Sequence, residues 1–203
     1  CGDLLAVQTL GELIRSFSQK YPRVTFDLYT ATADHIKERM DRGVTDIGLL
    51  LEPVEMDKYE HIRLNRKESW GVAMRPDDPL AGKEKIRPED LKGRPLILPR
   101  RLSLQSELAS WFGEDYRELQ VRFTSNLNSS SSIMVCAGLG YSLAVEGSLA
   151  FWDREKIVFR PLSPALSATS ALAWKRNQPF APAAEKFIAH VRSSLTQRDG
   201  QEL

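Results

Sequence analysis

The order of periodic patterns between residues 10 and 51 constrains the fold of this chain most strongly. Apolar residues first recur at helical spacing up to Pro22 and form one face of a predicted helix: Leu10, Leu13, Ile14, Phe17 and Tyr21. Residues 24–29 then alternate between apolar and polar, which predicts a half-buried strand. A polar helical segment follows, and the apolar run at 47–51 predicts a buried strand. Helix, strand, helix and buried strand in this order are typical of a layered α/β domain with a parallel sheet.

Two further segments with strand character, 69–75 and 169–175, enclose a block of alternating helix and strand patterns. This arrangement predicts two lobes joined by two crossover strands, because the chain leaves lobe one, builds lobe two and returns. We expect lobe one to contain 1–72 and 172–203, and lobe two to contain 75–168. An interlobe cleft of this kind is a hinge-closing binding site, and parallel sheets bind ligands at the carboxyl ends of their strands.

The balance of charge argues against a dedicated nucleic-acid surface in this chain. Its 28 basic and 27 acidic side chains give a formal net charge of +1, and they are interspersed, whereas a nucleic-acid surface needs a basic stripe. No run approaches about eighteen apolar residues, so we predict no membrane contact. Cys1 and Cys136 are the only two cysteines of the sequence and do not make a secreted disulfide framework, which favours a reducing, cytoplasmic compartment.

Catalytic, metal and cofactor chemistry finds little support in the sequence. The three histidines are dispersed, and neither a His-Glu-x-x-His motif nor a Cys–His cluster accompanies them, so no metal site is predicted. Gly138 and Gly140 precede a strand pattern, which favours a helix stop over a dinucleotide loop. No G-x-S-x-G motif marks a nucleophilic serine. Cys136 fits either a small buried hydrophobe or a reactive thiol. We therefore expect neither an enzyme nor a bound cofactor.

Five short motifs follow one another along nearly the whole chain. They are F-x-x-x-Y-P-x-V at 17–24, G-x-x-D-x-G at 43–48, D-P-L-A at 78–81, D-L-x-x-x-P-L-I at 90–97 and V-x-x-G-x-G-Y-S at 135–142. In this order they resemble motifs of LysR-type transcriptional regulators, with Asp78 where the family commonly has histidine. Each motif is weak by itself, but the ordered set is specific.

The resemblance implies an effector-binding domain with a type 2 periplasmic-binding-protein fold: two α/β lobes, two crossover strands and an interlobe cleft. It implies that a small metabolite binds in the cleft and changes the arrangement of a DNA-bound oligomer. In whole regulators a winged helix-turn-helix precedes this domain and contacts DNA, and nothing in the present chain encodes it. The family's first strand normally precedes the first helix, and here only Cys1-Gly2 could be its end.

The resemblance also implies an antiparallel side-by-side homodimer. For the full-length protein it allows a tetramer as well. In the family, the first helix and the following strand pack against a helix of the partner's second lobe. The corresponding residues here are 4–20, 24–30 and about 129–138. The strand predicted at 24–30 is short and could form a sheet edge that needs cover.

Junctions between strands and helices are the candidate ligand-binding positions, because helix N-termini favour carboxylates and phosphates. The predicted ligand-binding residues are Asp3, Arg100, Arg101, Ser103, Ser125, Asn126 and Glu146. Helix capping alone would also explain Ser103 and Ser129, and Arg100 and Arg101 could equally be solvated surface charges. Asp3 and Glu146 would repel an anion, which disfavours a simple dicarboxylate as the ligand.

A solute-binding protein of a transporter shares the fold expected here and is the alternative function. It would require a secretory signal or a lipid anchor upstream, whereas a regulator would require a winged helix-turn-helix there. The upstream residues therefore discriminate between the two functions.

Overall fold

The computed structural model describes residues 4–199 of the protein. These residues fall into two compact units: unit 1 contains 6–66 and 169–199, and unit 2 contains 4–5 and 67–168. The described α-helices are Ala6–Lys20 (α1), Ala33–Asp41 (α2), Leu102–Phe112 (α3), Asn128–Cys136 (α4) and Pro182–Asp199 (α5). The described strands are Gly48–Leu51 (β1), Tyr59–Met74 (β2), Pro95–Pro99 (β3), Gln120–Ser125 (β4), Tyr141–Val145 (β5), Val158–Pro161 (β6) and Ser167–Lys175 (β7). Short 3-10 helices occupy Pro79–Gly82, Pro88–Leu91, Gly113–Glu118 and Glu146–Leu149.

Unit 1 packs helices against a sheet in which β7 lies between β1 and β2. Strand β1 runs antiparallel to β7, with Gly48 opposite Ala173. The buried face of α1 is the one predicted from sequence, and Phe17 at its centre contacts Phe187 of α5 with ring centroids 5.1 Å apart. A second apolar cluster joins α2 to the sheet through Ile36, Met40, Leu50, Tyr59 and Ala173.

Unit 2 contains a mixed sheet with the strand order β6-β2-β5-β3-β4. Strand β2 is antiparallel to both β5 and β6, whereas β3 is parallel to both β5 and β4. Ile97 of β3 and Val135 of α4 share an apolar cluster with Ala73 and Ile157. Three neighbouring parallel strands, β5, β3 and β4, therefore end at the same edge of this sheet.

The prediction of a strand at 24–30 is wrong, because the structure assigns no strand to these residues. A cavity of about 340 Å³ is lined by 24–29 on one side and by 44–47 and Leu49 on another. Segment 24–29 is instead held by side chains, since Phe26 makes edge-on ring contacts with Phe17 and Phe187. A strand requires a hydrogen-bonding neighbour as well as an alternating sequence.

Most of the predicted strand segment 69–75 lies within β2, a single long strand from Tyr59 to Met74. Val121 and Phe123 of the edge strand β4 are 45% and 39% exposed. Helices α3 and α5 each bury one apolar face, with Leu104, Leu108 and Phe112 on α3 and Phe187, Ile188 and Val191 on α5.

Candidate functional site

The parallel strands β5, β3 and β4 carry most of the predicted ligand-binding residues just beyond their carboxyl ends. Each strand leads within a few residues into a helix: β3 into α3, β4 into α4, and β5 into the 3-10 turn Glu146–Leu149. The described members of the predicted set all lie in unit 2 and at this edge of its sheet: Arg100, Arg101, Ser103, Ser125, Asn126 and Glu146. Asp3, the remaining member, lies outside the described residues.

The junctions after β3 and β4 are joined directly through the backbone. Pro99 lies opposite Ser125, and the Arg100 N–H donates to the Ser125 carbonyl oxygen at 2.8 Å. The Ser125 hydroxyl donates to the Leu127 carbonyl oxygen at 2.7 Å, so its proton is engaged within its own loop. Gln105 of α3 donates from Nε2 to the Pro99 carbonyl oxygen at 2.8 Å, which ties α3 to the end of β3.

Helices α3 and α4 both begin without a side-chain cap. The N-cap residue of α3 is Arg101, and that of α4 is Leu127, and neither accepts a capping hydrogen bond with its side chain. The capping explanation of Ser103 and Ser129 is therefore wrong, because both residues lie inside the first turn of their helices. The first N–H groups of a helix have no acceptor within the helix. Two adjacent strand ends thus lead into helix starts of this kind.

A buried carboxylate lies beside this edge and was missed in the sequence. Glu68 of β2 is fully buried, and its Oε2 accepts a hydrogen bond from the Gly147 N–H at 3.3 Å. The sequence gives little signal for it, because Glu68 is the last of the three consecutive charged residues 66–68 that precede the apolar run 70–74.

Gly147 allows the backbone at Leu4 and Leu5 to approach the sheet closely. A Cβ at Gly147 would lie 2.0 Å from the Leu5 nitrogen and 2.7 Å from Glu68 Oε2. No side chain fits in that space, so the start of the described chain is packed directly on the turn that follows β5. This contact lies entirely within unit 2.

A second polar feature missed in the sequence ties α4 to β5. Asn128, the first residue of α4, donates from Nδ2 to Ser132 Oγ at 3.2 Å and accepts at Oδ1 from Ser142 Oγ at 3.3 Å. Ser132 and Ser142 are both buried. The available signal was Ser142, a polar residue inside the otherwise apolar strand 141–145.

Other candidate chemistry is limited. Across residues 4–199, no three His, Cys, Asp or Glu side chains come together as a metal site. Cys136 is half-buried, and its thiol lies 3.7 Å from the Lys156 carbonyl oxygen. None of the described helices has the length and apolar character that crossing a membrane requires.

The sequence of this chain is similar to those of known proteins. The sequence model of the family described as "LysR substrate binding domain" matches residues 1–196. The chain belongs to this family. It is 32% identical over 179 residues to the uncharacterized HTH-type transcriptional regulator YvbU of Bacillus subtilis (strain 168), which covers 87% of this chain and 60% of the relative. It is 26% identical over 194 residues to the Hca operon transcriptional activator HcaR of Escherichia coli (strain K12), which covers 93% of this chain and 64% of the relative.

Solved structures give the same fold. The effector-binding domain of QuiR in complex with shikimate matches with a TM-score of 0.79 at 18% identity, over 93% of this chain and 91% of that one. The regulatory domain of Synechocystis PCC6803 CcmR in complex with 2-PG matches with a TM-score of 0.74 at 20% identity, over 94% of this chain and 92% of that one. The predicted type 2 periplasmic-binding-protein-like fold and the predicted LysR resemblance are confirmed. The relatives are transcriptional regulators, and none of these comparisons supports the transporter alternative.

Proposed function

We propose that this domain binds a small organic effector at the edge formed by the ends of β5, β3 and β4, and that binding changes the arrangement of a DNA-bound regulator. The observation that carries the proposal is the convergence of two uncapped helix starts, α3 and α4, on adjacent strand ends. Such helix starts offer backbone N–H groups to an anionic or hydrogen-bonding ligand. The small molecules bound by QuiR and CcmR support the same use of the fold.

Several broader features belong to the same proposal. The domain binds its effector without catalysing a reaction, and DNA is contacted by another part of the full-length regulator. A regulator bound to DNA acts in the cytoplasm of a bacterial cell and needs no membrane contact. The lobe limits 1–72 with 172–203, and 75–168, stay a prediction.

Ser103 and Asn126 are the residues that test the location of the site. A thermal-shift screen over metabolites first identifies an effector, because a ligand that binds only the folded state raises the unfolding midpoint. Replacing Ser103 or Asn126 with alanine should then weaken binding by about 0.5–1.5 kcal/mol for each neutral hydrogen bond lost. Isothermal titration calorimetry measures this change.

Ser110→Ala is the matched control for Ser103→Ala, because Ser110 lies on the same helix and its hydroxyl donates to the Ser106 carbonyl oxygen. The control should bind the effector with unchanged affinity. Unchanged affinity in both Ser103→Ala and Asn126→Ala would place the effector elsewhere.

We also propose a side-by-side homodimer for this domain. Exposed apolar side chains support it in both units: Leu28 and Tyr29 in unit 1 are 62% and 43% exposed, and Val121 and Phe123 on β4 are 45% and 39% exposed. Ile133 on α4 is 56% exposed, whereas Met134 packs against the apolar cluster of unit 2. Ile133 is therefore the better partner-facing candidate of the two.

A charge at Ile133 tests the dimer. Ile133→Asp should give a folded monomer, because an interface of about 1,000 Å² or more would then bury an unpaired carboxylate. Phe151→Asp is the control, since Phe151 is 93% exposed and lies outside the proposed interface. Sedimentation velocity distinguishes the two variants. A monomeric unmodified domain at tens of micromolar would contradict the proposal.

A further inference from the structure

Helix α4 is held to unit 2 in two different ways along its length. Its C-terminal half is anchored by Val135, which is fully buried with Ala73, Ile97 and Ile157. Its first turn contains no buried apolar side chain: the buried residues there are Ser131 and Ser132. Polar contacts, not apolar burial, therefore fix the first turn.

The local sequence makes this first turn weak. Asn128 is followed by four serines, and neither asparagine nor serine is a strong helix former, because their side chains compete for backbone hydrogen bonds. The N-cap residue Leu127 adds no capping hydrogen bond. What remains is a pair of side-chain hydrogen bonds: the Asn128 Nδ2 donates to Ser132 Oγ at 3.2 Å, and the Asn128 Oδ1 accepts from Ser142 Oγ at 3.3 Å. Both distances are at or just beyond the long end of the usual range.

The beginning of α4 lies next to the proposed effector site, and a residue just after its first turn lies on the proposed dimer surface. Asn128 directly follows the strand-end loop at 125–127, which belongs to the proposed effector site. Ile133, one turn later, is exposed and belongs to the proposed dimer surface. Ser142 fixes Asn128 to β5, a strand that is buried along its whole length and therefore gives a stable reference point.

We infer that Asn128 is a positioning residue that couples the effector site to the dimer surface through the first turn of α4. This inference rests on the proposed function and describes its regulation. The Asn128 amide holds the turn on β5, and an effector bound at the strand ends changes the position of that turn. Val135 acts as a fixed pivot near the end of α4, so a displacement of the first turn also moves Ile133, which lies between that turn and Val135. Asn128 need not touch the effector itself.

The test uses two variants and two controls. Asn128→Leu removes both hydrogen bonds and keeps the number and branching of the side-chain heavy atoms, and Ser142→Ala removes one of the two bonds. Ser129→Ala is the control for hydrogen exchange, because Ser129 is exposed on the same turn. Should Asn128→Leu fail to fold, Ser142→Ala carries the test alone.

Amide hydrogen exchange of the variants in the absence of any ligand is the first measurement. Exchange at 132–134, whose N–H groups donate to carbonyls of the first turn, should rise about tenfold in Asn128→Leu and less in Ser142→Ala, in proportion to the hydrogen bonds lost. Exchange at 137–139, whose N–H groups donate to the carbonyls of 133–135, should stay within about twofold of the unmodified protein, as it should everywhere in Ser129→Ala. Unchanged exchange at 132–134 would show that Asn128 does not hold the turn and would overturn the inference.

The dimer dissociation constant is the second measurement. It should change at least about threefold in Asn128→Leu and stay unchanged in Ser110→Ala, which lies on α3 outside the proposed dimer surface. An unchanged constant in spite of faster exchange at 132–134 would overturn the coupling to the dimer surface, and so would a monomeric unmodified domain.

Inorganic phosphate serves as the third probe, because helix N-termini bind it. Phosphate should shift the dimer dissociation constant of the unmodified protein and have a smaller effect on Asn128→Leu. An equal effect on both proteins would overturn the inference. If phosphate does not bind the unmodified protein, the proposed anion-binding edge fails, whereas the first two measurements still decide the role of Asn128.

Discussion

Segments 24–29 and 120–125 have similar alternating sequences and opposite structures. Both place apolar residues at every second position. Residues 120–125 form strand β4, which pairs with β3 from Pro95 to Pro99, yet Val121 and Phe123 stay exposed. Residues 24–29 form no strand, yet Phe26 is packed between the rings of Phe17 and Phe187.

The difference shows that pairing and burial are separate consequences of one sequence pattern. Strand β4 has a neighbour on one side and little cover over its faces, so hydrogen bonds form without burial. Segment 24–29 lies beside an aromatic cluster and across a cavity from Leu49, so the half-buried Phe26 packs against other rings without strand pairing, while Leu28 and Tyr29 stay exposed. An alternating pattern therefore predicts a potential strand, and the neighbouring elements decide which of the two consequences is realised.

The largest expected effect comes from removing the aromatic anchor of segment 24–29. Phe17 is fully buried and makes ring contacts with Tyr21, Phe26 and Phe187. Phe17→Ala should lower the free energy of unfolding by about 3–5 kcal/mol, because it leaves a cavity in the core of unit 1. Phe123→Ala, the matched change on β4, should cost about 1 kcal/mol or less. Urea denaturation measures both values, and similar losses in the two variants would contradict the comparison.

An intermediate effect should appear as pH dependence near the same aromatic cluster. His190 lies 2.7 Å from Ser16 Oγ through Nε2, and burial and then the charge of Lys20 hold the pKa of its imidazole below the ordinary value of 6.5. The folded state therefore favours the neutral ring. The stability that this group contributes is fully present above pH 6.5 and is lost as the pH falls through the lowered pKa.

Urea denaturation at pH 7.5 and 5.5 tests this effect in the unmodified protein and in His190→Gln. The variant should lose less stability on acidification, because glutamine does not titrate. His61→Gln is the control, and it should keep the pH dependence of the unmodified protein. Equal losses in the unmodified protein and His190→Gln would show that another group is responsible.

The sequence predicted the fold better than the candidate site. Family motifs and helical periodicity gave the architecture and the buried face of α1, because burial of one helix face leaves a direct 3.6-residue pattern. The order of strands and helices also gave the strand-end junctions, which bring Arg100, Ser125 and Glu146 to one edge. The hydrogen-bond partners of the residues there could not be predicted from the sequence. Asn128 and Ser142, for example, are 14 residues apart and come together only because α4 packs on β5. Glu68 and Gly147 are likewise 79 residues apart.

The smallest expected effect on stability comes from replacing an exposed apolar residue of segment 24–29, a change that should affect dimer formation more than folding. Leu28, in segment 24–29, is 62% exposed, so Leu28→Ser should change the free energy of unfolding by no more than about 0.5 kcal/mol. On the proposed dimer surface the same change should raise the dimer dissociation constant, because the proposed interface buries this leucine against the partner. Val44→Ser is the matched control: Val44 is 59% exposed in the same unit but lies outside the proposed interface, so it should leave both quantities unchanged. Sedimentation equilibrium of the two variants, beside urea denaturation, separates these outcomes. If Leu28→Ser and Val44→Ser have the same dimer dissociation constant, Leu28 does not contribute to the dimer interface. Segment 24–29 and strand β4 would then share an alternating sequence but not a role in assembly.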